Sequence, residues 1–138
     1  MWQTLSAAIV AKVATSSYIE SSLIFDYAKT NLDGFPAVTV VPSTGDGVFA
    51  DTVRNRRSYI FSIKVYQEQL EQGREDSERI MRTIVDDLID KFDADSYLDN
   101  ALQGRGYAKP IPGNWDFILG ENTVQRVAEI LIDCQVIE

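Results

Sequence analysis

The sequence predicts an α+β domain: a mainly antiparallel sheet of about four strands packed against a long central helix, with a further helix at the N-terminus. Three observations carry this. From Arg57 to Gln67 the side chains alternate, with Tyr59, Phe61, Ile63 and Val65 on one face and Ser58, Ile60, Ser62, Lys64 and Tyr66 on the other. Period two over such a length is a strand signal. From Glu75 to Phe92, the apolar residues Ile80, Met81, Ile84, Val85, Leu88, Ile89 and Phe92 occupy half of a helix circumference, which suits packing flat on a sheet. The order helix, strands, helix, strands then points to α+β rather than to alternating βαβ units. At 138 residues the chain fits one domain, 1–138.

Each element has its own warrant. Residues 2–14 read as a helix because Trp2, Leu5, Ile9 and Val13 fall on one stripe. Residues 17–30 are ambiguous; Leu23, Phe25 and Tyr27 alternate as a short strand would. Gly34-Phe35-Pro36 signals a turn, and the β-branched run Ala37–Val41 a strand. Pro42 to Asn55, rich in Gly, Asp and Ser, reads as a loop whose large apolar residues are Val48, Phe49 and Val53. Glu75, Asp76 and Glu78 sit where the central helix begins and favour the positive end of its dipole. Asp93 to Gly113 is polar and turn-rich, carrying Gly104, Gly106, Pro110 and Pro112. Trp115–Leu119 reads as a strand and Gly120-Glu121-Asn122 as a tight turn. Residues 124–137 form a last strand with Ala128, Ile130, Ile132, Cys134 and Val136 on one face.

Composition excludes more than it assigns. The chain has no histidine and one cysteine, and 13 Lys plus Arg stand against 21 Asp plus Glu, a net charge of −8. Without imidazole, the usual general base and commonest metal ligand are missing. One thiol allows neither an internal disulfide nor a cysteine-rich zinc site. The negative field argues against nucleic acid held by overall charge. Apolar residues at 45% and charged residues at 25% are ordinary for a globular domain. The first residues lack the basic segment and long apolar run of a signal peptide, and no stretch approaches the ~20 apolar residues of a membrane span. The expectation is a chain made and kept in a reducing cytoplasm, or in a complex built there, with no membrane partner and no cofactor.

Local patterns that invite chemistry are weak. Asp86-Asp87-Leu88-Ile89-Asp90 has the spacing by which prenyl-transfer enzymes hold magnesium, but Asp86 and Asp90 lie opposite the apolar stripe and read as a solvated face. Asp93-Ala94-Asp95 starts like a calcium loop, yet its sixth and twelfth positions hold Leu98 and Gly104 where Gly and Glu are needed. Turn-forming aspartates at a helix exit are the simpler account. Gly45-Asp46-Gly47 and Gly104-Arg105-Gly106 read as flexible loop tips. Cys134 reads as a small core residue. Asp and Glu are too numerous for sequence to single out a pair for acid–base work.

The remaining cluster is Arg54, Arg56 and Arg57, followed by Arg74, Arg79 and Arg82. Two readings stand level. One is a solvated strand entrance pairing with nearby carboxylates. The other is a protein–protein contact, since Arg is enriched at interface anchors; Arg54, Arg56, Arg57, Val48 and Phe49 are then the candidate interface. DNA binding ranks below both.

Four collinear segments carry a likeness to a known family: Gly34–Ser43 (GFPAVTVVPS), Arg56–Glu68 (RRSYIFSIKVYQE), Glu78-Arg79-Ile80 leading to Val85–Asp90, and Val127–Cys134 (VAEILIDC). Through them the chain, from about residue 20 onward, resembles the tail terminator (tail completion) proteins of long-tailed bacteriophages. The resemblance implies a non-enzymatic virion subunit, assembled in the bacterial host cytoplasm. Such subunits form a ring, typically a homohexamer, that caps the tail tube, stops its growth and presents a surface to the head connector. Its partners would be other copies of itself, the tail tube protein and the connector or stopper protein, with DNA passing through without specific binding. On this view the exposed edges of strands 57–67 and 124–137 are where neighbours meet, and the 42–55 loop orders on assembly. The alternatives are another neck or head-closure subunit, or, in a different class, a small enzyme using carboxylates.

Overall fold

A computed structural model describes residues 1–29, 31–32, 34–49, 55–69, 74–119 and 124–137, with backbone alone described at 44–49, 55, 69, 74 and 119. The chain runs α1 (Trp2–Val13), β1 (Ile24–Phe25), β2 (Ala37–Phe49), β3 (Asn55–Gln69), α2 (Arg74–Ala94), β4 (Gly106–Leu119) and β5 (Val124–Ile137). The strands make one sheet in the order β1-β2-β3-β5-β4. Neighbours are antiparallel except β1, which runs parallel to β2 through Ile24 and Phe25. The sheet is mainly antiparallel, as expected, but mixed and five-stranded where about four strands were expected, because the ambiguous 17–30 segment contributes a short parallel edge strand.

Both helices pack on one face. The alternation anticipated in β3 and β5 is what buries Tyr59, Phe61, Ile63 and Val65 beside Ala128, Ile130, Ile132, Cys134 and Val136. Leu5, Ile9 and Val13 of α1 and Met81, Ile84, Val85, Leu88 and Phe92 of α2 close the core over them. Trp2 meets Tyr59 and Phe61 edge-on, with centroids 4.7 and 5.2 Å away. Ile80, expected in the apolar half, is exposed, since only the central seam of so wide a stripe reaches the sheet. The Cys134 thiol is buried in this core, and burial, helped by the Asp133 charge, pushes its pKa up to about 12.

Residues 42–49 of the expected loop and 106–113 of the turn-rich segment are strand, and both stretches contain proline. The hydrogen-bond alternation of the ladder explains this. The Ile137 N–H donates to the Arg105 carbonyl at 2.8 Å, so odd-numbered residues of β5 bond toward β4 and even-numbered ones toward β3. Followed across the sheet, the alternation turns the backbone N of Ala108, Pro110 and Pro112 away from β5, and that of Pro42 away from β3. A proline there costs no ladder bond. The Ala108 N–H confirms the direction by donating outward to the Ser96 carbonyl at 2.7 Å. Bulges at 42–44 and 112–115 then let β2 and β4 continue. Gly106 begins β4 where a Cβ would lie 1.8 Å from the Gln135 carbonyl oxygen, so only glycine fits. Gly45-Asp46-Gly47 lies within β2 rather than at a loop tip, and the 120–122 turn lies outside the described residues.

The turn between α2 and β4 is held from α1. Asp95 accepts hydrogen bonds from the backbone N–H of Tyr97 and Asp99 at 3.3 and 2.7 Å, the turn-forming role read from the sequence. Leu98, Asp99 and Asn100 have φ of 51°, 52° and 69°, a left-handed stretch that costs about 1–2 kcal/mol per residue. Burial of the Leu98 side chain offsets part of that cost. Lys12 of α1 reaches Asp95 at 2.8 Å and Asp99 at 3.3 Å. Ser16, just past α1, donates to Asp87 of α2 at 2.8 Å.

The hydrogen bond from Lys12, against the pull of desolvation, lowers the Asp95 pKa, and the Asp95 carboxylate likewise raises that of Lys12 above 10.5. Stabilisation from Asp95 is thus present above the ordinary carboxylate range and lost as pH falls through its depressed value, while that from Lys12 is lost only in strong alkali. Lys12→Met, which keeps the apolar stem, is expected to cost about 1 kcal/mol at neutral pH in urea unfolding. Its gap from the parent should close as the pH drops below the normal aspartate range.

Candidate functional site: an assembly surface

Among the described residues, no helix packs on the face of the sheet opposite α1 and α2. Side chains from β3, β5 and β4 alternate onto it: Ser58, Ile60, Ser62, Lys64 and Tyr66; Glu129, Leu131, Asp133 and Gln135; Tyr107, Lys109, Ile111 and Ile118. Its carboxylates are held by hydroxyls. Ser62 donates to Glu129 at 2.7 Å and Ser58 to Asp133 at 3.0 Å, while the Gln135 amide donates to both Ser58 and Asp133 at 2.9 Å. Half-buried Ile60 and Leu131 and exposed Ile111 interleave with this polar row. The surface is patterned and mixed in polarity, as protein interfaces are.

At one end of this face an open groove of about 690 Å3 is lined by Arg56, Gly104, Arg105, Gly106, Tyr107, Gln135 and Ile137. Arg56 opposes Ile137 in the β3–β5 ladder, and Gly106 opposes Val136 in the β4–β5 ladder, which brings the two arginines to one site. Both are exposed, so an acidic chain carries a local cationic groove. No carboxylate lines it among the described residues.

The predicted interface residues are thus partly gathered and partly dispersed. Arg56 lines the groove. Arg57, one residue on, belongs to the opposite face of β3 and has an interaction of its own. Val48 and Phe49 pair through their backbones with Arg56 and Asn55, and their side chains lie outside the described residues, as does all of Arg54. Arg79 and Arg82 are on α2, salt-bridged to Glu75 and Glu78 at 2.6 and 3.5 Å. The groove's second arginine, Arg105, was the residue that sequence reasoning missed, because Gly104-Arg105-Gly106 looked like a loop tip. Its signal was the glycine after it, which permits the close strand approach.

The opposite end of edge strand β4 carries exposed aromatic and aliphatic groups: Trp115 at 39%, Phe117 at 49% and Ile118 at 46% exposure. Arg126 of β5 lies over the Phe117 and Trp115 rings, 4.4 and 5.2 Å from their centroids. Its Nε donates to Glu78 at 2.8 Å and a second nitrogen to the same carboxylate at 3.2 Å. Glu78 thereby ties the first part of α2 to the end of the sheet, a forked geometry that lysine cannot reproduce.

No family model and no curated protein matches the chain. Among solved structures it is similar to a chain described as "Virion of native gene transfer agent (GTA) particle", at 15% identity and a TM-score of 0.56 over 97% of this chain and 95% of that one. What the two share is the fold. No helix among the described residues is long and apolar enough to cross a membrane.

Arg126→Lys is expected to lower stability by about 1–2 kcal/mol, because the forked bond to Glu78 and the stacking are lost together. Trp115 should become more mobile; tryptophan fluorescence anisotropy together with thermal melts checks both.

Proposed function

We propose that this chain is a non-enzymatic structural subunit of a phage-like virion, a tail terminator that closes into a ring, caps the tail tube and offers the joining surface to the head connector. The observation that carries the reading is the fold likeness, over nearly the whole of both chains, to a chain of a gene transfer agent virion. The sequence resemblance to tail terminators points the same way. The surface chemistry supports it: a patterned sheet face that bears no helix among the described residues, exposed large apolar groups on an edge strand and a cationic groove suit binding to protein on several sides.

Physical requirements fit the role. A tube grows because each ring exposes a surface that binds the next; a terminator matches that surface on one side and does not reproduce it on the other. Rings arise from heterologous contacts whose rotation closes. Six copies would bring six times the chain's −8 charge, a field that keeps passing DNA from sticking. The groove at Arg56 and Arg105 is then a contact for an acidic protein surface, either the tube or the connector.

Native mass measurement and negative-stain imaging of the concentrated chain are expected to show closed rings, with six copies the favoured number; a monomer at every concentration counts against the proposal. Particles carrying Arg56→Glu with Arg105→Glu are expected to accumulate unjoined parts while the subunit melts as the parent does. Fully joined particles would remove the groove from the interface.

A further inference from the structure

The sheet has two outer edges, and most of each is closed. On β4, the alternation turns the backbone nitrogens of 106, 108, 110 and 112 outward in the first half of the strand. Ala108 is covered by Ser96, and Pro110 and Pro112 have no N–H to offer. Beyond the 112–115 bulge the outward residues are Trp115, Phe117 and Leu119, with no proline among them. On the other side of the sheet, β1 covers β2 at Val38 and Thr39, and Pro42 faces outward. Beyond the 42–44 bulge the outward residues are Gly45, Gly47 and Phe49, and no described strand pairs with them. Each edge thus keeps one proline-free stretch of three outward residues. Glycine within a strand commonly marks close approach of another backbone.

The two stretches match in direction and in face. Strands β2, β3, β5 and β4 alternate in direction, so β2 and β4 run oppositely, and copies related by a ring rotation would meet antiparallel. Gly47 opposes Arg57 and Phe117 opposes Arg126, and both of those partners stand on the helix-bearing face. Joined outward residue to outward residue, the two edges therefore leave the helices of both copies on one side of a continuous sheet. The edges differ, so the contact is heterologous and a dimer through it still exposes one free stretch at each end.

We propose that the β4 stretch Trp115–Leu119 of one copy adds as a strand to the β2 stretch Thr44–Phe49 of a second copy, with Phe117 opposite Gly47. This rests on the ring reading above and names the contact that builds it. Asp116 guards the seat: its carboxylate accepts the outward Phe117 N–H at 2.7 Å in the single subunit and must swing away for the neighbour to bond. The prolines limit pairing to this stretch, which fixes the stagger between copies.

Residues directly opposite in such a pair have Cα atoms roughly 5.5 Å apart, within disulfide reach. The test is Gly47→Cys with Phe117→Cys, oxidised at a concentration where the parent forms rings, and Gly45→Cys with Leu119→Cys as an independent second pair. A ladder of covalent multimers beyond the dimer is expected, with each variant that carries one added cysteine stopping at dimer, since Cys134 is buried. Rings in the parent with no ladder from either folded pair overturn the strand pairing and leave the ring reading standing. No rings in the parent and no ladder overturn both. Asp116→Ala is expected to lower the protein concentration at which rings form several-fold; an unchanged or higher concentration overturns the guard.

Discussion

Everything in this molecule is referred to the β3–β5 ladder, in which Arg56–Gln69 pairs residue for residue with Val124–Ile137. A strand residue commits its side chain to one face and its backbone groups to one side, and both commitments alternate. Once β3 and β5 are paired, the parity of every other strand follows. One parity puts Phe61, Ile63, Ile130 and Ile132 under the helices; the other puts Ser58, Ser62, Glu129 and Asp133 on the open face. A slip of one residue would exchange them and bury carboxylates. The same parity decides which amides look outward at the edges.

This explains what could be read from sequence and what could not. The helices and the alternation in 57–67 and 124–137 were legible because burial imposes a period on side chains. The strands Ala37–Phe49 and Gly106–Leu119 were only half legible, because proline and glycine mark turns in general, and proline fits a strand only at an edge, a start or a bulge. Whether a strand is at an edge is a matter of topology, which local sequence does not carry. For the same reason the expected meeting edges were misplaced: β3 and β5 are interior strands with both sides paired, and the edges belong to β4, β1 and the outer side of β2.

The candidate site divides along the same line. Arg56 was legible as part of a dense positive run, but adjacent residues on a strand face opposite ways, so Arg56 and Arg57 part company. Arg105 joins Arg56 from 49 positions away through two ladders. Charge clustering in space follows register, and linear spacing reports it only within a helix turn. Arg79 and Arg82 illustrate that exception: each meets a glutamate four residues before it on α2.

The contact between Lys12 and Asp95 has a reach beyond its own geometry. Asp95 organises the turn whose Ser96 carbonyl covers the outward Ala108 N–H, so the tail end of the first helix is linked through three short bonds to the far edge of the sheet. That edge is sheltered by tertiary docking as well as by its own prolines. During folding, β4 can pair with β5 through a short local hairpin, whereas the shelter waits for a contact spanning most of the chain. A chain whose first helix has not yet docked is therefore the form most open to stray strand pairing.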